Sequence, residues 1–122
     1  MAKTPRTDGS PFSPTDFHVL LVLAGGNLYG YAIQKAVEEE SGGTLRPEIG
    51  SLYRVLARLM GEGLVDEVEP PADAPHSHRG QPRRYYRLTK KGRRALEADA
   101  KRLAEVLDIA RRRRILTHGT TS

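Results

Sequence analysis

"PEIGSLYRVLARLMGEGLV", residues 47–65, decides the fold. With Pro47 in the first turn, where its missing N–H costs nothing, Ile49, Leu52, Leu56 and Leu59 recur at helical spacing, and Val55 and Met60 flank them. The spacing predicts a short helix with one buried stripe, stopped by glycine before a strand. Turning by about 100° per residue, the opposite side carries Gly50, Ser51, Arg54, Ala57, Arg58 and Gly61, with Tyr53 at its edge. An ordinary solvated face carries more Glu and Lys, and glycine near a helix start costs up to about 1 kcal/mol against alanine. A face this bare is one that something approaches closely.

Upstream, Ser13, Pro14 and Asp16 form a helix-start signal: a capping hydroxyl, proline at the first position and a carboxylate at the positive end of the dipole. "TDFHVLLVLAGG" is then helix one, ended by Gly25 and Gly26. Its apolar residues run nearly all the way round, which predicts burial on more than one side, against the core and a second chain. "LYGYAIQKAVEEESGG" is helix two, with Ala32, Ile33, Ala36 and Val37 inward, Glu38 to Glu40 outward, and Gly42-Gly43 as the stop. The quoted stretch is helix three.

Downstream, "LVDEVE" (64–69) and "RRYYRL" (83–88) are rich in β-favouring residues and separated by the proline-rich "PPADAPHSHRGQP", which predicts a hairpin with an extended tip. Thr89 offers the cap of a last helix, in which Leu96, Ala100, Leu103, Leu107 and Ala110 keep a 4,3,4,3 spacing. That stripe would expose apolar groups unless it pairs with helix one or the last helix of a partner chain. The expected fold is mainly α with a small β-hairpin (α+β): a winged helix-turn-helix over 13–88, a C-terminal dimerisation helix over 89–115, and disordered tails at 1–12 and 116–122. No internal repeat is present.

A chain of 122 residues with 38% hydrophobic content suits one modest core. The net charge of +5 suits a polyanionic partner, nucleic acid or an anionic membrane surface. No apolar run reaches 18 residues, and "MAKTPRTDGSPFSP" lacks the apolar core of a secretion signal, so a cytoplasmic location is expected. The absence of cysteine excludes disulfides, thiolate metal sites and a cysteine nucleophile.

Three helices followed by a hairpin is the order of a winged helix-turn-helix, whose third helix enters the DNA major groove. Gly50, Ser51 and Ala57 would then let the helix approach base edges. Arg54 and Arg58 would donate to guanine or phosphate, and Tyr53 would reach the groove edge. Charge segregation agrees. Residues 79–94, "RGQPRRYYRLTKKGRR", hold eight cations and no acid, whereas 62–73 hold Glu62, Asp66, Glu67, Glu69 and Asp73 and no base. A positive strip along the wing predicts that it supplies most of the salt-dependent affinity and helix three most of the sequence choice.

An enzyme is not expected. Its histidines are His18, His76, His78 and His118, and His76-x-His78 alone gives two ligands, too few for a closed metal site; no cofactor is expected either. A winged-helix module that binds RNA or another protein is the remaining alternative, with Tyr85 and Tyr86 as one aromatic face for stacking.

Three blocks, Leu28-Tyr29-Gly30-Tyr31, Gly50-Ser51-Leu52-Tyr53 and the run from Gly80 through Pro82, Arg83, Tyr85 and Tyr86 to Leu88-Thr89, resemble the PadR family of bacterial transcriptional regulators. The resemblance spans about residues 17 to 97. It implies a homodimeric repressor that binds an inverted-repeat, palindromic operator in double-stranded DNA. In some members a phenolic acid or an aromatic drug, bound by the dimer, releases it. The family's DNA contacts map onto Ser51, Tyr53, Arg54 and Arg58 in helix three, Tyr29 and Tyr31 near the start of helix two, and Arg79, Arg83 and Arg84 in the wing. The dimer interface is expected at Phe17 and Leu20 of helix one and at Leu96, Ala100, Leu103, Leu107 and Ala110. Two departures stand out: a longer wing tip, expected to order on DNA, and no tryptophan to stack a drug ring.

Overall fold

The computed structural model describes residues 11–74 and 83–117. The elements run α1 (Pro14–Ala24), β1 (Leu28–Tyr29), α2 (Gly30–Glu40), α3 (Ile49–Gly61), β2 (Val65–Val68), β3 (Tyr85–Leu88) and α4 (Lys90–Arg112). Ser13 caps α1 as its sequence predicts, its Oγ accepting from the Asp16 N–H at 3.1 Å with Pro14 in the first turn. α3 starts two residues later than expected. Pro47 lies outside it, and the Pro47 carbonyl accepts from Gln34 Nε2 at 2.9 Å, tying the connecting loop to α2.

The end of α3 is built by its glycines. Gly63 adopts φ +78°, a left-handed conformation costly for any residue with a Cβ, and this turns the chain. The Leu64 N–H then reaches the Leu59 carbonyl (3.0 Å) and the Gly63 N–H the Met60 carbonyl (3.0 Å), the paired bonds of a Schellman stop. From there β2 leaves directly.

Rather than a two-stranded hairpin, the sheet has three antiparallel strands in the order β1-β3-β2. β1 pairs Leu28 with Tyr86 and Tyr29 with Tyr85; β2 pairs Val65 with Leu88 through Val68 with Tyr85. Leu28 and Tyr29, read from sequence as the start of helix two, are therefore strand residues. β3 is paired along both edges, and its two faces are covered as well: Tyr85 packs on Tyr29 and keeps 8% of its surface, while Tyr86 joins the core and keeps 2%. That corrects the expectation of an exposed aromatic face there.

Val19 and Leu20 of α1, Ile33 and Val37 of α2, Leu52, Leu56 and Leu59 of α3, and Val65 of β2 are fully buried. The helical stripe of α3 points into this core as its spacing predicts. Phe12 belongs to it as well, although the sequence assigned residues 1–12 to a tail. Its backbone N–H donates to Asp99 Oδ2 at 3.3 Å, and Asp99 is held by Arg102 Nε at 2.9 Å, so a buried carboxylate of α4 fixes the entry to α1. Residues 1–10 of that tail, and residues 118–122 of the second, lie outside the described residues.

α4 follows the wing with no spacer. Thr89 accepts from the Gly92 N–H at 2.9 Å as cap, donates its hydroxyl to the Gly63 carbonyl at 2.7 Å, and donates its N–H to the Leu64 carbonyl at 3.1 Å. A Cβ at Gly92 would overlap the Leu64 carbonyl, so only glycine fits this crossing.

Candidate nucleic-acid interface

The inward residues of α3 leave an outer face of Gly50, Tyr53, Arg54, Ala57 and Gly61, all exposed, with Ser51 half-buried. A Cβ on Gly50 or Gly61 would meet no other atom within 4 Å, so this surface is open and nearly smooth. Arg54 extends over it, Nη2 donating to Ser51 Oγ at 3.0 Å. A guanidinium held by one neutral hydroxyl keeps its other N–H groups and its full charge for an external acceptor.

Arg58, expected on the same face, is engaged elsewhere. Its Nη1 and Nη2 donate to both oxygens of Asp16 at 3.0 and 2.8 Å, and Nη1 stands 3.8 Å from Glu62. Asp16 is 2% exposed. The hydrogen bond to Asp16 raises the Arg58 pKa further above its ordinary value, partly offset by burial. The helix-start carboxylate of α1 is thus also the anchor of α3, and Arg58 is a structural cation instead of a free donor.

The N-terminal end of α2 meets α3 at one point. Tyr53 lies against Gly30, closely enough that a methyl group there would overlap the phenol. On the sheet side, Tyr29 packs on Tyr85 with ring centroids 5.5 Å apart, and the Arg83 guanidinium lies 4.3 Å from the Tyr29 centroid. Arg83 is half-buried in this stack and Arg84 is exposed on the opposite face. Burial raises the Tyr86 phenol pKa first; proximity to the Tyr53 phenol and the Glu67 carboxylate adds to that, and the Arg84 guanidinium opposes it. Tyr31, on the first turn of α2, is 60% exposed.

On the wing, Arg87 pairs with Asp66 across the register at 2.9 Å, so this cation is matched within the hairpin. A concavity of about 400 Å³ at the wing root is lined by Glu67, Val68, Glu69, Pro70, Arg83 and Arg84, acids and bases balanced. Arg79, His76, His78 and most of the tip lie outside the described residues, and among the described residues no cluster of His, Asp or Glu could hold a metal ion. The structure therefore brings together Tyr29, Tyr31, Gly50, Ser51, Tyr53, Arg54, Arg83 and Arg84 around α3, the start of α2 and the wing, and takes Arg58 away. Asp16 and Gly30 were missed as site-builders; the bare Gly30 inside Leu28-Tyr29-Gly30-Tyr31 was the available signal.

The expected dimer residues divide in the same manner. Leu20 is fully buried and Leu96 is 6% exposed, so both serve this chain's own core. Leu103 and Leu107 keep 38% and 39% of their surface, Ala100 is exposed, and Phe17 and Ala110 are half-buried. Val106 (51%) and Ile109 (40%) widen the apolar face of α4 beyond the predicted stripe, and Leu21 of α1 is also exposed (39%). None of the described helices is long and apolar enough to cross a membrane.

The model of the Transcriptional regulator PadR-like family matches residues 19–98. An uncharacterized 37.1 kDa protein in transposon TN4556 of Streptomyces fradiae is 42% identical over 88 residues, 72% of this chain; the chain spans only 22% of that relative. A PadR family transcription regulator from Clostridium difficile R20291 superposes with a TM-score of 0.67 at 21% identity, over 82% of this chain and 97% of that one. A PadR-like transcriptional regulator from Bacillus cereus superposes at 0.63 with 23% identity, over 80% and 87%. At such identities the two structures speak for the winged-helix fold.

Proposed function

Because the chain belongs to the PadR-like family of transcriptional regulators, a family of regulators and not of enzymes, we propose that it is a homodimeric, sequence-selective repressor of an inverted-repeat operator. The observation that carries this reading is the outer face of α3: small residues and one available arginine, Arg54, on a helix whose other side is fully buried. Such a cylinder can approach base edges in a major groove, where an arginine donates two bonds to guanine. Arg83 and Arg84 flank it and supply phosphate contacts, with Arg79 in the same basic run. Tyr31 is exposed beside them and reaches backbone oxygens.

The second half of α4 supports pairing with another copy of the chain. Leu103, Val106, Leu107 and Ile109 are all more than a third exposed, as is Leu21 of α1. An apolar face of this extent on one helix is costly to leave in water. A twofold axis through it presents two α3 helices about 34 Å apart, one turn of duplex, which makes the operator palindromic. A small aromatic effector bound at the dimer centre near Phe17 and His18 is the release signal consistent with the family resemblance.

Selection of bound fragments from random duplex DNA, followed by fluorescence anisotropy on the enriched sequence and a scrambled control, tests the reading. The expected outcome is an inverted repeat bound far more tightly than the control, with log K falling on log salt at a slope of about −5 if about six phosphates are neutralised. Equal affinity for every duplex, or tighter binding to RNA, overturns it. For the dimer, Leu103→Asp halves the mass measured by light scattering; an unchanged mass refutes the interface.

A further inference from the structure

Among the described glycines, Gly30 is unusual in what it makes room for. Its φ is not positive, so the backbone does not demand glycine there, at the first residue of α2. Gly50 and Gly61 face open space, and Gly92 faces backbone. A Cβ at Gly30 would instead lie 2.8 Å from Cζ and 3.0 Å from Cε1 of Tyr53, and nearer still to its hydroxyl. The ring that occupies this space belongs to the outer face of α3.

Tyr53 is 40% exposed, one edge against Gly30 and the other toward solvent on the proposed DNA side. Tyr86, buried on the central strand β3, has its pKa raised in part by its proximity to the Tyr53 phenol. The phenol therefore stands between α3 and the first turn of α2, with β3 nearby. We infer that Gly30 is a specificity-determining positioning residue: by leaving a gap for the Tyr53 ring, it sets that ring's height on the recognition helix relative to Tyr31 and the wing. This inference rests on the DNA-binding reading above.

The contact makes a discriminating prediction because the overlapping atoms are the far end of a side chain. A methyl group at position 30 can be accommodated by swinging the Tyr53 ring outward, which leaves the core of Leu52, Leu56 and Leu59 untouched. The ring then projects into the surface that docks on the groove. Folding is spared while docking is not, and a misplaced group at a close-fitting site weakens its neighbours' bonds to the duplex as well as its own.

Four proteins test this: wild type, Gly30→Ala, Tyr53→Ala and the double variant, each titrated against the selected operator and a scrambled duplex, with melting followed in parallel. Gly30→Ala lowers operator affinity about tenfold, the worth of one well-made bond to a base, and narrows the operator-to-scrambled ratio. Its melting temperature stays within about 3 °C of wild type. In the Tyr53→Ala background the same glycine change alters operator affinity less than about twofold. An equal loss in both backgrounds, or no loss at all, overturns the inference. A second readout uses 3-fluorotyrosine, with the Tyr53 signal assigned through Tyr53→Phe. Its 19F resonance moves on Gly30→Ala. An unmoved resonance overturns the Gly30–Tyr53 contact alone, whereas a wild-type protein indifferent to every duplex overturns the DNA reading beneath it.

Discussion

The two halves of α3 carry one arginine each on nominally the same outer side, and the two side chains do different work. In the first half Arg54 is exposed and held by the Ser51 hydroxyl; in the second Arg58 is clamped by both oxygens of a buried Asp16 with Glu62 behind it. The first half is backed by neutral groups, the Tyr53 phenol on Gly30 with Tyr86 nearby, and the second by an ion pair to α1. What separates them is the available partner: the Asp16 carboxylate at the start of α1 reaches the C-terminal half, while no carboxylate among the described residues pairs with Arg54. A helix can thus be fixed at one end and available at the other without any change in its residue types.

Removing Arg58 gives the largest expected effect. Arg58→Ala deletes the bidentate partner of a 2% exposed carboxylate and destabilises folding by about 3 kcal/mol, the low end for a broken buried pair because the guanidinium keeps 30% of its surface. Urea denaturation measures it, and a change under about 1 kcal/mol would erase the contrast between the halves. Arg54→Ala should do the reverse: stability unchanged, operator binding weakened by about 1 to 3 kcal/mol, random DNA little affected. Uniform weakening on all duplexes would instead place Arg54 on a phosphate. For Arg83→Ala, affinity falls on every duplex, and the salt slope becomes shallower by about one for each phosphate left without its cation; a sequence-dependent loss would move base recognition into the wing.

Alkali separates the halves more gently. Tyr86 has its pKa raised in the folded state, so its contribution is present below the ordinary phenol value near 10 and is lost as pH climbs through the raised value. The Arg58 guanidinium, also raised, stays charged across that window. Stability should therefore decline above about pH 10 more steeply in wild type than in Tyr86→Phe. Identical slopes would show that the phenol beside the first half is not coupled to folding.

Most of the fold was legible because its signals are local. The 3,4 spacing of Leu52, Leu56 and Leu59, the Ser13-Pro14 start and the Thr89 cap each act within a few residues, and the structure realises all three. β1 escaped because two residues have no periodicity, and their partners lie far along the chain, Tyr86 opposite Leu28 and Tyr85 opposite Tyr29. Phe12 escaped because a lone aromatic among polar neighbours carries no pattern; its anchor, the Asp99 carboxylate, is 87 positions away. The pairing of Arg58 escaped for the same reason: which cation of a helix face is engaged depends on a carboxylate 42 residues earlier. Residue type announced the outer face of α3, but tertiary pairing decided which of its members remain available.

Thr89 closes the wing and opens α4 in a single residue, with the Gly92 crossing pressed onto Leu64. No hinge separates the two. An α4 of 23 residues is about 35 Å long, so a tilt of about 5° about its far end sweeps its near end, and the hairpin riveted to it, through about 3 Å. A displacement of that size is a whole hydrogen-bond length, enough to lift guanidinium groups off phosphate oxygens. A helix so joined would act as a stiff crank: small rotations among the apolar side chains at its tail would arrive magnified at the wing.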